Sequence, residues 1–304
     1  MRVLVLGHTG YLGGHVVEHL RLLPEIAVLR AGRSPGACYG VDLATTGAEE
    51  LAGTLATAAP DAVVNCAGAV GGDPVTLAEV NARGTAVLCE ALRQAAPKAR
   101  LVHLGSAAEY GPGGAGSRVT ESAPTRPLSP YGATKLAGTV AVTTSGLDAV
   151  VLRVGNPVGP GAPPGGLPGR VAGLLREAAG DREAVLRLGD LSAYRDFVDA
   201  RDVARAVVLA ATASGPLPRV LNIGGGRAVR VRDLVHTLAG IAGFRGRIEE
   251  DGGAASARSG GVSWQCSDIG AARQALLWRP SYTLRASLAA LWSAAGAAEG
   301  DGDR

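Results

Sequence analysis

Short apolar runs mark the chain at Val3–Leu6, Ala27–Leu29, Ala62–Val64, Leu101–Leu104 and Ala149–Leu152, separated by helix-like stretches that include Gly14–Leu22, Thr76–Gln94 and Pro130–Thr143. Apolar runs that do not alternate belong to strands covered on both faces, so this rhythm predicts repeated βαβ units and a parallel sheet. Right-handed crossovers then make the fold α/β and doubly wound, with ligands expected at the carboxyl ends of the strands. After Asn156 the pattern breaks. Pro157, Pro160, Pro163, Pro164 and Pro168 fall among glycines, which predicts a loop into a second, smaller C-terminal lobe. A strand–helix pattern over Phe197–Ala211 and a strand at Val220–Ile223 return to the first lobe, and a helix over Leu284–Ala295 closes the chain. The expected division is residues 1–156 with 197–224 for the first lobe, 157–196 and 225–298 for the second, and a disordered polar tail over 299–304.

Composition narrows the classes. With 304 residues and 47% hydrophobic content the chain can bury a substantial core, which argues against general disorder. A net charge of +3 from 30 basic and 27 acidic residues, without a long basic run, gives no footprint for nucleic acid. Cys38, Cys66, Cys89 and Cys266 are too far apart for a zinc motif or a disulfide framework, so no metal is expected and a reducing compartment, the cytoplasm, is. The first apolar run leads directly into a motif, with no room for a signal peptide, and no apolar stretch is long enough to span a membrane.

The motif is Gly7-His8-Thr9-Gly10-Tyr11-Leu12-Gly13. Between a strand and a helix, such glycines permit a tight turn and a close pyrophosphate approach, with the phosphates meeting free helix N–H groups. Gly7, Thr9, Gly10, Tyr11, Leu12 and Gly13 are therefore expected to bind a dinucleotide in a Rossmann-type lobe. Asp42 is expected to accept from an adenine amino group while Leu43 packs on the ring, and Asn65, Ala67 and Gly68 end a strand with room for a ribose or nicotinamide. NAD calls for an acid after the second strand and NADP for arginine; this segment offers Arg30, Arg33 and Ser34 and no acid. NADP(H) is therefore favoured, with NAD(H) the alternative.

Tyr131 and Lys135 lie one turn apart on a helix, where the ammonium favours the phenolate of its neighbour and can also hold a ribose. Ser106 ends the strand before them, with a hydroxyl able to polarise a carbonyl. These residues resemble the extended short-chain dehydrogenase/reductase family, in its branch of nucleotide-sugar epimerases, dehydratases and reductases. The resemblance runs from Met1 to about Trp292 and rests on Gly7–Gly13, Asp42-Leu43, Ser106–Gly111, Ser129–Lys135 and Leu152–Pro157.

The resemblance implies further roles. Asn81 matches an asparagine that the family uses to shape the central helix and its proton relay. Arg195, Arg258 and Asn156 look like positions that clamp a substrate diphosphate, a pairing suited to bidentate guanidinium forks. The family's dehydratases carry acids just after the active-site hydroxyl; here those positions are Ala107 and Ala108, which disfavours dehydration. Ala107 would line the substrate, and Glu109 would serve as a structural or substrate hydroxyl partner. The Leu188–Phe197 and Asn156–Gly161 segments look most like GDP-4-keto-6-deoxymannose reductases, which implies NAD(P)H-dependent reduction of a nucleotide-linked 4-keto-6-deoxyhexose with Tyr131 as proton donor. An NAD-dependent 4-epimerase, a reductase of a non-nucleotide ketone and a noncatalytic dinucleotide sensor remain as alternatives, the last of them disfavoured by the presence of Ser106, Tyr131 and Lys135. Family members also pair subunits through two helices, here Thr76–Gln94 and Pro130–Thr143, so a homodimer is expected.

Overall fold

The structure is a computed structural model that describes residues 1–250 and 261–300, the side chains of 295–300 excepted. In chain order its elements are β1 (Arg2–Leu6), α1 (Tyr11–Arg21), β2 (Ala27–Gly32), β3 (Tyr39–Gly40), α2 (Ala48–Ala58), β4 (Ala62–Asn65), α3 (Pro74–Ala78), α4 (Gly84–Ala95), β5 (Arg100–Ser106), α5 (Pro130–Thr143), β6 (Ala149–Val154) and β7 (Asn156–Val158). They continue with α6 (Leu167–Glu177), β8 (Val185–Leu188), β9 (Tyr194–Asp199), α7 (Ala200–Thr212), β10 (Val220–Ile223), β11 (Ala228–Arg230), α8 (Val231–Ala242), β12 (Arg247–Glu250), α9 (Gly270–Leu276) and α10 (Leu284–Gly300).

Seven strands form the main sheet in the order β10-β6-β5-β4-β1-β2-β3, every neighbouring pair parallel. The expected doubly wound α/β fold is present. The apolar runs occupy β1, β4, β5 and β6 because both faces of these strands are covered. On one face Val16, Val17 and Leu20 of α1 and Val203 and Val207 of α7 pack on Val3, Val5, Val102 and Leu152. On the other, Leu51 and Leu55 of α2, Leu88 and Leu92 of α4 and Val142 of α5 cover Leu4, Leu6, Val63 and Val151. A smaller core joins α6, α8 and α10 to the β8 and β9 region through Val171, Leu175, Leu234, Leu238 and Leu288. Here β9 lies between β11, antiparallel, and β7, parallel, while β12 pairs β8.

Four segments depart from the sequence reading. The proline-rich stretch is not all loop: β7 pairs with β9, and Pro168 sits in the first turn of α6, where its missing N–H has no partner to lose. Thr76–Gln94 is not one regular helix, because a π-helical turn at Glu79–Arg83 lies between α3 and α4. β2 continues to Gly32, so Arg30 lies within the strand and not after it. The closing helix α10 reaches Gly300, two residues into the expected tail, and 301–304 lie outside the described residues.

Candidate active site

The glycine loop is shaped by close approach. Gly7 has φ +75, and a Cβ on it would stand 2.7 Å from the Ala67 amide nitrogen; a Cβ on Gly13 would stand 2.1 Å from the Gly7 carbonyl oxygen. Gly10 begins α1 without a side-chain cap, leaving the first-turn amides of the helix for an anion. Thr9 and Gly10 are exposed at this mouth, and Leu12 is half-buried. The Tyr11 hydroxyl is buried without a hydrogen-bond partner, its pKa raised by burial and by the Asp199 charge. A loop that admits no Cβ and leaves helix amides uncapped fits a dinucleotide pyrophosphate.

Beside this loop, Gly32, Arg33, Ser34, Asp42 and Glu50 line a cleft of about 510 Å³. Ser34 is fixed by its hydrogen bond to His8 Nε2 (3.3 Å), and one Asp42 oxygen accepts from the Ala44 amide (3.0 Å). Arg30 does not line the cleft, since the extended β2 places it within the strand, where its backbone amide first and its guanidinium second lower the Cys38 thiol pKa. Leu43 is corrected as well: it is 4% exposed and packs with Leu51 and Leu55 in the core, where it offers no face to a base.

Ser106 terminates β5 and caps a 3₁₀ turn over Ala107–Glu109: its hydroxyl oxygen accepts from the Ala108 amide (3.2 Å), while Glu109 Oε1 accepts from the Ser106 amide (2.7 Å). With that lone pair engaged, the serine proton is oriented to donate elsewhere. Ser129 caps α5 by accepting from the Gly132 amide, and a Cβ on Gly132 would stand 2.6 Å from the Ala108 carbonyl, so α5 can press its first turn onto the Ser106 segment. Tyr131 is half-buried on that turn, and Lys135 is buried, donating through Nζ to the Leu104 carbonyl.

Asn81 sits in the π-helical turn. Its amide oxygen accepts from the Ala69 N–H (3.0 Å), and its Nδ2 donates to the Ala69 carbonyl (2.9 Å) and to Thr134 Oγ1 (3.2 Å). A Cβ on Gly68 would stand 3.3 Å from Asn81 Oδ1 and 3.7 Å from Lys135 Nζ. Thus Asn81 fastens the Asn65–Ala69 loop beside the lysine.

Of the two roles expected for Glu109 the structural one is observed, and the expectation for Ala107 changes. Glu109 is fully buried and its second oxygen pairs with Arg153 Nε at 2.7 Å, so its carboxylate is occupied within the protein and does not face a substrate. Ala107 is 2% exposed and does not face one either. The Arg153 guanidinium also stacks on Tyr110, whose hydroxyl donates to Asn222. Sequence reasoning passed over Arg153, though a cation inside the buried strand Ala149–Val154 is itself a sign of a buried partner.

Asn156 donates to Gln265 Oε1 (2.8 Å) and to the Asp196 carbonyl (3.3 Å). Arg195 donates to the Tyr194 carbonyl (2.8 Å) and forms no ion pair among the described residues; burial works against its charge. Neither neighbouring acid takes it. Asp199 pairs with Arg201, and Asp196 accepts from the Ser267 amide. Arg258 lies outside the described residues. Among those described, no cluster suited to a metal occurs and no helix is long and apolar enough to cross a membrane.

Residues 3–224 match the family model described as the NAD dependent epimerase/dehydratase family. A dTDP-6-deoxy-L-talose 4-dehydrogenase (NAD(P)(+)) from Kitasatospora kifunensis is 39% identical, covering 96% of this chain and 95% of its own. A UDP-glucose 4-epimerase from Streptomyces lividans is 32% identical over 95% of this chain and 93% of its own. Among solved structures, RMD from Pseudomonas aeruginosa complexed with NADPH superimposes with a TM-score of 0.82 at 26% identity, covering 96% of this chain and 98% of that one. The chain belongs to the NAD dependent epimerase/dehydratase family and is an NAD(P)-dependent enzyme of the nucleotide-sugar type.

Proposed function

We propose that this enzyme interconverts the 4-keto and 4-hydroxy forms of a nucleotide-diphosphate-linked 6-deoxyhexose, working as a 4-ketoreductase with NADP(H) favoured over NAD(H). The observation that carries the substrate class is Arg195, a desolvated guanidinium with no carboxylate partner among the described residues, beside Asn156. A half-buried cation without a counter-ion is partly desolvated at a cost, and a diphosphate would supply the missing charge in bidentate geometry. Oxidation at C4 of a 6-deoxyhexose, the activity in the name of the 39% identical relative, is the same reaction run backward. That relative moves the expected nucleotide from GDP toward dTDP.

When bound along Gly7, Gly10 and Gly13, the dinucleotide supplies the hydride. The protein does the rest. Arg195 holds the diphosphate, with the Asn156 amide committed to Gln265 and the Asp196 carbonyl beside it, Ser106 donates a hydrogen bond to the sugar O4, and Tyr131 gives its phenolic proton to the same oxygen as negative charge develops there. Lys135, one turn along α5, stabilises the phenolate left behind.

The NADP(H) preference rests on Arg33 and Ser34 in the adenosine-side cleft and on the absence of an acid at the end of β2. Arg33→Ala should raise KM for NADPH about tenfold while leaving that for NADH within about twofold, the loss of one charge-assisted hydrogen bond. Equal changes for both would remove Arg33 from a 2′-phosphate contact. A homodimer through α3, α4 and α5 is supported by Val75 and Val140, which stand 65% and 51% exposed on α3 and α5; sedimentation should then report twice the 30.5 kDa chain mass.

The test is NADPH oxidation against dTDP-, GDP- and UDP-linked 4-keto-6-deoxy sugars. Turnover with at least one, fastest with dTDP, is expected. No oxidation with any, together with tightly retained NAD and interconversion of C4 epimers, would replace the reductase by a 4-epimerase.

A further inference from the structure

We infer that His103, which stands outside the Ser106, Tyr131 and Lys135 group, is a positioning residue for the dinucleotide, acting through Asn65 on the loop that separates the glycine turn from Lys135. This rests on the dinucleotide reading of that turn.

The parallel register of β4 and β5 sets Asn65 against His103. Both side chains are buried, at 0% and 1% exposure, in strands whose other core positions, such as Val63, Val64, Leu101 and Val102, are apolar. An imidazole and an amide taken out of water are costly unless they bond to each other or to backbone. They do both. Asn65 Oδ1 accepts from the Ala67 amide at 3.1 Å, which fixes the orientation of the side chain and leaves Nδ2 as the group facing His103 Nδ1, also at 3.1 Å. A donating amide requires an unprotonated Nδ1, so the ring carries its proton on Nε2. Burial, and secondarily the Lys135 charge, holds His103 in that neutral form.

The result is a directional chain from His103 through Asn65 to the backbone of Ala67. That backbone occupies a narrow place. The Ala67 nitrogen and Cα lie 2.7 and 2.8 Å from where a Gly7 Cβ would stand, and the next residue, Gly68, lies against Lys135 and Asn81. Asn81 secures the far end of the loop at Ala69, and the Asn65–His103 pair secures the near end. An asparagine thus pins each end of the segment, and His103 fixes the one whose orientation no other side chain sets. A leucine at 103 would fill the strand face without any desolvation cost but would leave Asn65 Nδ2 unpaired and the loop free to shift away from the glycine turn.

His103→Leu should raise KM for NADPH about tenfold, the loss expected when one buried hydrogen bond goes and its partner is left unsatisfied, with KM for the nucleotide sugar within about twofold of the parent. His103→Asn, whose amide oxygen can take the place of Nδ1, should restore KM for NADPH to within about threefold of the parent value. Asn65→Leu breaks the same link from the other side; it should weaken NADPH binding, read by fluorescence titration, by the same factor as His103→Leu, and the double variant should bind no more weakly than either single one. Unchanged NADPH affinity in Asn65→Leu, additive losses in the double variant, or a His103→Asn protein as impaired as His103→Leu would each overturn the assignment. A parent enzyme that binds neither NADPH nor NADH would overturn the dinucleotide reading beneath it.

Discussion

At the scale of single residues, the proposed reduction would use groups whose alternative partners are already occupied. Ser106 accepts from Ala108 and so keeps its proton to give. Lys135 is tied to the Leu104 carbonyl, a backbone partner that leaves its charge in place. With Tyr131 as the proposed proton donor, Tyr131→Phe should lower kcat at least about a thousandfold while NADPH affinity stays within about twofold, in keeping with loss of a general acid. Near-normal turnover in that variant would remove Tyr131 from the reaction. The placement of Tyr131 and Lys135 one turn apart on α5 and of Ser106 at the end of β5 was legible in the sequence, because each position follows from a regular element. Leu43 and Ala107 were expected to face a ligand because their positions suit one, and only tertiary packing shows that they are buried; of the two roles expected for Glu109, the structural one is observed. His103 was invisible for the same reason in reverse: its partner is 38 residues away on a neighbouring strand.

At the scale of elements, α5 is pressed onto its neighbours by glycine as well as by apolar contact. A Cβ on Gly138 would stand 2.5 Å from the Asn81 carbonyl, so this helix and the π-helical turn approach at backbone distance. The hydrophobic periodicity of Thr76–Gln94 reads as one helix, and nothing local in it announces the π turn; that turn places Asn81 over the Ala69 backbone. π turns of this kind concentrate at functional sites. The strand–turn junction at Ser106 depends on the buried Glu109–Arg153 pair, whose residues are 0% and 6% exposed. Glu109→Ala would leave Arg153 charged and unpaired in that interior, at a cost of about 3–5 kcal/mol. Chemical denaturation would check this, and a loss below about 1 kcal/mol would show that the pair is not needed to hold the junction.

At the scale of the whole molecule, the main sheet and the small β11-β9-β7 sheet meet at Asp196. Its carboxylate belongs to β9 of the three-stranded sheet, yet it lies under the glycines that follow β10 of the main sheet: a Cβ on Gly224 would stand 2.3 Å from Oδ2 and one on Gly225 3.1 Å from Oδ1, while the Ser267 amide donates to Oδ2 at 3.0 Å. Burial pushes its pKa up to about 6. A carboxyl raised above its unfolded value of 3.8 favours folding fully at pH below that value, and the contribution is lost as pH rises through about 6. Compared with Asp196→Asn in thermal melts, the parent should therefore lose relative stability between about pH 4 and pH 6 and show no further trend above about pH 7; a flat difference across that range would mean that Asp196 does not titrate there. The doubly wound sheet was legible from the apolar rhythm. The small sheet and its helices were less so, since β7 and the start of α6 lie in a proline-rich stretch whose strand pairing is entirely long-range.

The central claim is net reduction at C4 of a nucleotide-linked sugar, and transfer of label tests it most directly. With NADPH deuterated at the transferring position and a dTDP-linked 4-keto-6-deoxyhexose, the enzyme should place one deuterium at sugar C4 for each dinucleotide oxidised, as read by proton NMR of the product. Interconversion of C4 epimers without net dinucleotide oxidation, or oxidation that leaves C4 unlabelled, would contradict it.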